Sequence, residues 1–350
     1  MRVICVGAIG VLSISCRDSP DLSRARAEAT EDLVEIRTSG AATNWQGVLN
    51  ASGIRVSGNG RVYVADNGDS TIKVFDSTGV FLSSVGHKGR DVPRFGLIKD
   101  FVVLGSDIVM LDNAGWRFIS VGPDGDLRSI RHAKEREELL GTLGVDRVVV
   151  ADNTLWSRPV PRNRKSWPLA KVMTPSGDPL FEIGERTSVP NPFAGHIVNF
   201  VFPSGTADGK FVWLAFLNSP DVLLYTLAGQ RLQRIRREVP FAWQRMPSTF
   251  VPKAGQAFED FVPPFDAISV GIASDTIGRA FILTQMASTR HRKAPPTTMA
   301  VDVIGQGDVG RVRRMIFPGA AQHIAVSPSG SRIYLLNSGL SAPRVYRGPR

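Results

Sequence analysis

The chain has 350 residues, of which 43% are hydrophobic, and it contains 34 glycines and 23 prolines. This length and composition suit a turn-rich globular protein with a full core and argue against a disordered chain. The formal net charge of +10 favours anionic partners. Beyond the N-terminus, no apolar stretch approaches the roughly 20 residues that a membrane-spanning helix needs.

The first residues of the chain have the pattern of an export signal. Arg2 precedes a mostly apolar run from Val3 to Ser15, as in secretory signal peptides. The chain has 2 cysteines, Cys5 inside this run and Cys16 directly after it. A protein cleaved before Cys16 therefore keeps one thiol and forms no internal disulfide. We predict a signal peptide over residues 1–15.

The segment around Cys16 resembles that of a bacterial lipoprotein precursor, in which a peptidase cuts before a cysteine that is then acylated. Ile14 and Ser15 match the two positions before the cysteine, whereas Ser13 stands where that family usually has leucine. The resemblance implies lipidation of Cys16 and a membrane anchor on the extracytoplasmic side of the cell envelope, or a periplasmic location. Ordinary cleavage and a retained anchor are the alternatives. The polar residues 16–32 predict a tether.

A repeated strand pattern begins with the segment from Val62 to Gly86, where apolar runs are separated by DNGDS and DSTG. Apolar runs bounded by Gly, Asp, Asn and Ser clusters indicate antiparallel strands joined by tight hairpins. The pattern VYVADN recurs in full or weaker form along the chain. Its copies begin at Val62, Ile108, Val148, Val212, Ala280 and Ile333. These copies and their flanking strands predict six blades of a propeller.

The motif V-x-V-A-D-N … I-x-V-F-D-x-x-G resembles the NHL-repeat type of six-bladed β-propeller, most strongly in the first copy. The resemblance implies an all-β fold over residues 33–350, but it leaves activity open, because such propellers include scaffolds, RNA binders and lyases. The last copy ends after its third strand, Pro343 to Arg350. Because a closed ring avoids an exposed sheet edge, we predict that the N-terminal segment Leu33 to Arg37 supplies the missing strand of the last blade.

Aspartates recur at the end of the second strand of the repeat, at Asp66, Asp112 and Asp152. Aspartate side chains at such positions can accept hydrogen bonds from backbone amides of the following turn. We therefore interpret these residues as structural caps of the repeat.

Long loops are predicted on one face of the propeller, which is formed by the blade-to-blade links and the turns between second and third strands. We call it the long-loop face, and binding residues concentrate on such loops. Two basic insertions there, Thr154 to Trp167 and Met286 to Thr298, predict a site for an anionic glycan, lipid or acidic protein. Its candidate residues are Arg158, Arg162, Arg164, Lys165, Arg290, Arg292 and Lys293. The alternative is a solvated basic surface without a specific ligand.

Four residues are predicted near the starts of innermost strands on the long-loop face, namely Asp100, His196, Asp266 and His323. If they converge on the central channel, they could bind a divalent metal such as calcium, as in propeller lactonases and lyases. The alternative is a set of hydrogen-bonded polar residues that line the channel. No G-x-S-x-G, H-E-x-x-H or phosphate-binding glycine loop with lysine occurs, so no catalytic residue is predicted.

These observations together predict an exported, lipid-anchored β-propeller that acts as a binding or interaction module. A monomer without a cofactor is expected. Nucleic acid is not an expected partner, because an exported protein would rarely meet it. A metal-dependent propeller hydrolase or lyase is the alternative, so enzymatic activity stays open at this point.

Overall fold

The sheets of this protein follow the order of the repeated strands in the sequence. The computed structural model describes residues 26–36, 45, 47–88, 94–112, 117–132, 139–151, 166–248, 264–290, 297–307, 311–337 and 342–349. In these ranges six sheets of mostly antiparallel strands succeed one another along the chain as the blades of a β-propeller. The predicted all-β, six-bladed fold is confirmed.

The first half of the chain forms the N-terminal strand and three blades. The N-terminal strand is β1 (Arg26–Asp32). Blade one contains β2 (Ala51–Val56), β3 (Val62–Asp66), β4 (Thr71–Phe75) and β5 (Phe81–Val85). A short parallel pair, β6 (His87–Lys88) and β7 (Arg94–Phe95), precedes blade two. Blade two contains β8 (Ile98–Leu104), β9 (Asp107–Asp112), β10 (Arg117–Val121) and β11 (Leu127–His132). Blade three contains β12 (Leu139–Leu143), β13 (Arg147–Ala151), β14 (Ala170–Met173) and β15 (Pro179–Ile183).

The second half begins with the helix α1 (Pro192–Asn199), which Asn191 caps by accepting a hydrogen bond from the Ala194 amide. Blade four contains β16 (Val201–Gly205), β17 (Phe211–Phe216), β18 (Asp221–Thr226) and β19 (Arg231–Arg236). Blade five contains β20 (Ser269–Ser274), β21 (Ala280–Gln285), β22 (Thr298–Ile304) and β23 (Arg311–Pro318). Blade six contains β24 (His323–Val326), β25 (Arg332–Leu336) and β26 (Arg344–Arg347). Among the described residues, no helix has the length and apolar character of a membrane span.

The core of the propeller lies between its blades. The first strands of successive blades contact one another in a closed ring, with β24 of blade six against β2 of blade one. Each interface between neighbouring blades holds a cluster of buried apolar side chains, such as Tyr63 of blade one with Phe101 of blade two. The residues of β3 are buried on both faces of the sheet because both faces pack on a neighbouring blade. Each large apolar side chain buried in this way contributes roughly 1.5–3 kcal/mol.

The N-terminal segment closes the ring in blade six, as predicted. Glu35 forms an antiparallel bridge with Tyr346 of the last strand. The Ile36 amide donates a hydrogen bond to the Val345 carbonyl at 2.8 Å, and the Arg347 amide donates to the Val34 carbonyl at 2.9 Å. Residues 34–36 and the last strand therefore meet in one blade.

The strand β1 lies in the segment predicted as a tether, of which residues 16–25 are outside the described residues. It pairs in parallel with β23, the outer strand of blade five, in a register that ends with Asp32 opposite Ile316. Arg313 of β23 forms an ion pair with Glu31 at 2.7 Å. An outermost strand needs no apolar face, so hydrophobic periodicity does not reveal it. The predicted signal peptide, residues 1–15, also lies outside the described part.

Candidate functional site

The central channel contains two cavities that have lining residues in common. Arg55, Leu140, Pro203, Ile272 and Ile324, which come from the innermost strands, line both cavities. The larger cavity, of about 390 Å³, lies among the turns that follow these strands. The smaller cavity, of about 100 Å³, lies at the starts of the strands, on the long-loop face. The larger channel cavity is thus on the face opposite to the predicted long loops.

The larger cavity has a nearly neutral wall whose polar groups bind one another. The Ser204 and Ser274 hydroxyls lie 2.9 Å apart, and Ser274 also donates to the Gly205 carbonyl at 2.6 Å. A Cβ at Gly205 would lie 2.5 Å from the Thr142 carbonyl oxygen, so glycine is needed where blades three and four approach each other. This cavity offers no group of charges that would orient a substrate.

The smaller cavity contains Asp100, whose carboxylate joins three blades. Arg55 of blade one binds one oxygen at 2.6 Å, and the Leu140 amide of blade three donates to the other at 2.8 Å. The Phe101 amide also donates to Asp100. Burial raises the pKa of Asp100, although the Arg55 charge and these amides oppose the change. Both carboxylate oxygens are therefore engaged by the channel wall.

His323, at the start of β24, lines the same small cavity as Asp100. Burial lowers the pKa of His323 to about 4, and the nearby Arg55 charge acts in the same direction. The imidazole is therefore neutral at pH 7. Arg55 pairs with Asp100 and its charge also acts on His323, so it disfavours a further cation next to them.

The other two members of the predicted metal set lie in blade links and line neither channel cavity. His196 is on α1, where its ring packs edge-on against Phe200 at 5.5 Å. Asp266 accepts hydrogen bonds from the Gln244 amide at 2.7 Å and the Ser288 hydroxyl at 2.5 Å. Burial alone would raise the pKa of Asp266, but these hydrogen bonds lower it. Within the described ranges, no group of three His, Cys, Asp or Glu side chains could hold a metal ion.

The recurring aspartates cap backbone amides, as predicted. Asp66 accepts hydrogen bonds from the Leu49 and Asn50 amides, both at 2.7 Å, and from the Gly68 amide at 2.9 Å. Asp112 accepts longer ones from the amides of residues 96 and 97 and forms an ion pair with Arg117. Most of these amides belong to the link before the blade rather than to the following turn. Asp152 lies outside the described residues.

Most of the predicted basic-loop residues also lie outside the described part of the chain, as does Cys16. The basic residues concerned are Arg158, Arg162, Arg164, Lys165, Arg292 and Lys293. Arg290 is described, and its amide donates to Asp266 at 3.1 Å while its guanidinium binds the Gln244 side chain. Arg290 is therefore tied to the link between blades four and five.

A cleft rich in arginine extends from the long-loop face along the outer strand of blade four, and it was not predicted from the sequence. Its volume is about 280 Å³. We call it the arginine cleft, and the lining side chains that matter here are Arg231, Arg234, Arg236, Arg245, Glu185, Asp221, Tyr225 and Trp243. Four arginines thus face two carboxylates in one concave surface.

Strand pairing in blade four explains why three of these arginines share a face. Across the β18–β19 pair, Tyr225 lies opposite Arg231, Leu223 opposite Arg234, and Asp221 opposite Arg236. The register shifts between Leu224 and Tyr225. Simple alternation would put Arg231 and Arg234 on opposite faces, but this bulge brings them to the same one. A cluster of arginines in RLQRIR, followed by Trp243, was the available sequence signal.

The charges of the arginine cleft are only partly balanced. Arg234 binds Asp221 at 2.9 Å, and the Arg236 guanidinium lies 5.6 Å from the centre of the Trp243 ring. Among the described residues, Arg231, Arg236 and Arg245 form no ion pair. Arg231 and Arg245 are exposed to solvent. The cleft is therefore an open, positively charged surface with an aromatic side chain at its wall.

Comparisons with known proteins bear on the fold. Residues 49–75 match the NHL repeat. No curated protein matches the chain in sequence. A Bacteroides fragilis protein whose name places it among exported proteins is 9% identical, with a TM-score of 0.55, and the match covers 94% of this chain and 100% of that one.

Two further solved structures share the architecture. A member of the DUF4221 family from Bacteroides vulgatus is 8% identical, with a TM-score of 0.55 and coverage of 87% of this chain and 94% of that one. A gluconolactonase from Xanthomonas campestris is 12% identical, with a TM-score of 0.51 and coverage of 95% and 100%. At these identities the similarity shows the propeller fold alone.

Proposed function

We propose that this six-bladed β-propeller, which contains an NHL repeat, is an exported binding module for an anionic partner. The observation that carries the proposal is the arginine cleft, where Arg231, Arg236 and Arg245 have no ion-pair partner among the described residues. Guanidinium groups bind carboxylates, sulfates and phosphates through paired hydrogen bonds. A concave surface with excess positive charge also attracts an anion from a distance and speeds its association.

The sequence around the cleft supports the same class of partner. Residues 152–169 connect β13 to β14, two strands of blade three whose joined ends lie on the long-loop face. This connection carries Arg158, Arg162, Arg164 and Lys165 and no acidic residue after Asp152. The charge of the cleft and the charge of this connection therefore act on a partner that approaches the same face.

The test compares two triple variants with the same change in net charge. The first replaces Arg231, Arg236 and Arg245 with serine, and the matched control replaces the exposed residues Arg61, Arg128 and Lys210 with serine. Binding to a panel of polyanions is measured by isothermal titration calorimetry at several salt concentrations. We expect the cleft variant to lose at least tenfold in affinity with a weaker salt dependence, because ion contacts are lost. Equal losses in both variants, or no polyanion binding by the unmodified protein, would reject the cleft as the site.

Export and lipid anchoring form the second part of the proposal. The signal pattern before Cys16 supports export, and so does the name of the Bacteroides fragilis protein of the same fold. An acyl chain on Cys16 would hold the module at the extracytoplasmic side of a membrane. Metabolic labelling with a fatty-acid analogue should mark the unmodified chain and not the Cys16→Ser variant. Equal labelling of the two chains would remove the anchor from the proposal.

A further inference from the structure

We infer that the anionic partner is an acidic saccharide, a chain of sugars that carry carboxylate or sulfate groups. This inference rests on the proposed function, because it names the ligand class of the same arginine cleft. Three features of the cleft support it independently of its net charge. They are an unpartnered buried carboxylate oxygen, an aromatic wall, and the spacing of the arginines.

The first feature is the carboxylate of Asp221. This residue is only 9% exposed and lines the cleft. Its Oδ2 atom accepts a hydrogen bond from Arg234 at 2.9 Å, but its buried Oδ1 atom has no partner among the described residues. An unpaired buried acceptor is costly, and this oxygen is closed to solvent, so a ligand gains affinity by donating a hydrogen bond to Asp221 as the side chain turns toward the cleft. The ligand therefore carries hydroxyl or N–H donors next to its negative charge.

The Asp221 carboxylate also excludes the simplest anions as preferred ligands. A phosphate or polyphosphate without a donor would place its oxygens near Oδ1 and be repelled by it. A sugar unit has several hydroxyl groups next to its acidic group. It can pair the acidic group with an arginine and donate a hydroxyl to Asp221.

The second feature is the half-buried side chain of Trp243. It lines the cleft, and Arg236 lies over its ring. An indole presents a large apolar surface and loses little conformational entropy when a ligand packs against it. The C–H surface of a sugar ring can pack against such a side chain while the neighbouring guanidinium pairs with the acidic group. A small inorganic anion would make no use of Trp243.

The third feature is the spacing of the positive charges along β19. Arg231, Arg234 and Arg236 lie opposite residues of β18 that are two positions apart, namely Tyr225, Leu223 and Asp221. Successive arginines are therefore about 7 Å apart along the strand, given a rise of about 3.4 Å per residue. This row fits a ligand with repeated acidic groups better than a single compact anion.

The experiment measures the affinity of the full chain for four ligands. Two are acidic saccharides, an oligogalacturonate and a sulfated galactan oligosaccharide, and the other two are inorganic polyphosphate and vesicles containing phosphatidic acid. The variants are Asp221→Ala, Trp243→Ala and the conservative Trp243→Phe. Melting temperatures of all variants control for loss of folding.

We expect at least one acidic saccharide to bind, and both alanine variants to weaken that binding at least tenfold. Trp243→Phe should retain most of the affinity. Asp221→Ala should strengthen polyphosphate binding, because the repelling charge is removed. If the role of Asp221 were purely structural, Asp221→Ala would instead weaken the binding of both the saccharide and polyphosphate.

Two other outcomes separate this inference from the proposed function. If polyphosphate or the vesicles bind through the arginines and neither saccharide binds, the saccharide inference is wrong and the anion-binding function stands. If the saccharides bind but Asp221→Ala and Trp243→Ala have no effect, the assigned contacts are wrong. If none of the four ligands binds, both the inference and the proposed function fail.

Discussion

Single buried aspartates hold the first two blades of this propeller to the links that precede them. Asp66 is fully buried and receives three amide hydrogen bonds and the Lys73 ammonium group at 2.7 Å. Burial alone would raise the pKa of Asp66, but Lys73 and the amides lower it below its ordinary value. The carboxylate therefore stabilises the fold above the pKa it has when unfolded, and this contribution is lost as pH falls through the lower folded pKa.

Removing the Asp66 charge should destabilise the whole domain. In Asp66→Asn, the buried Lys73 ammonium group keeps the Gly47 carbonyl and, as its one carboxylate among the described residues, Asp69, which lies 2.9 Å away and is partly exposed. We expect the free energy of unfolding to fall by about 2–4 kcal/mol, as measured by urea denaturation. The control Asp178→Asn changes a carboxylate whose side chain is 71% exposed and should cost less than about 0.5 kcal/mol. Similar losses in both variants would mean that Asp66 is not the cap described here.

The neutral imidazole of His323 should make stability depend on pH in a specific window. Its pKa of about 4 in the folded protein is below the ordinary histidine value of 6.5, so the unfolded chain binds more protons than the folded one between pH 4 and pH 6.5. The free energy of unfolding should therefore fall as pH decreases through this window.

The size of the effect is isolated by comparison with His323→Gln, which cannot titrate. Between pH 7 and pH 4.5, the unmodified protein should lose about 2 kcal/mol more stability than the variant. Carboxylates such as Asp66 titrate in both proteins and cancel in the difference. Parallel stability curves for the two proteins would show that His323 is not buried in its neutral form.

At the scale of elements, the described strands at the N-terminal end make two different attachments. The segment around Glu35 completes blade six, whereas β1 adds to the outer edge of blade five. The first attachment covers the free edge of β26 and buries Leu33 in the core between blades five and six. The second places a parallel strand on a sheet that already has four antiparallel strands. The closing segment should therefore contribute more to stability than β1 does.

Two truncations measure these contributions separately. Removal of residues 1–32 deletes β1 alone, and removal of residues 1–40 also deletes the closing segment. We expect only the longer deletion to lower the melting temperature by more than about 5 °C, because it exposes an unpaired edge in the ring. Equal melting temperatures for the two truncated chains would reject ring closure as a source of stability.

A pair of proline substitutions tests the hydrogen bonds of the closing segment without shortening the chain. The Ile36 amide donates to Val345, so Ile36→Pro removes this bond and should cost about 1–3 kcal/mol. The neighbouring Glu35→Pro is the matched control, since the bonds of the bridge run through the amides of Ile36 and Arg347. Thermal denaturation should show a clearly smaller loss of stability for Glu35→Pro than for Ile36→Pro. A larger loss for Glu35→Pro would contradict the pairing.

At the scale of the whole molecule, closure makes every blade the neighbour of two others. Buried apolar clusters fill the interfaces between successive blades, including the one between blades six and one, where Tyr334 packs with Val64. We therefore expect one cooperative unfolding transition, with the same midpoint by far-UV circular dichroism and tryptophan fluorescence. Separate midpoints would show that some blades unfold independently of the ring.

Much of this architecture was predictable because it depends on local patterns. The VYVADN copies and their glycine and aspartate turns indicate strands and hairpins from neighbouring residues alone, and the missing last strand then identifies Leu33 to Arg37 as its replacement. The capping role of Asp66 and Asp112 followed from their recurrence, although most of the amides that they bind lie in the preceding link, about 15 residues away. The strands, hairpins and ring closure involve residues close in sequence, or a rule of edge pairing that needs no coordinates.

The candidate site was decided by the tertiary structure. The arginine cleft exists because a bulge in β19 opposite Tyr225 moves Arg231 to the face of Arg234, and because the link residues Glu185 and Trp243 meet this face from different parts of the chain. The channel likewise brings Asp100 and His323 together but engages Asp100 with Arg55 of another blade. Periodicity in the sequence determines which residues form strands. A one-residue shift in register and the approach of distant links determine which charges share a surface, and neither is recorded in a local pattern.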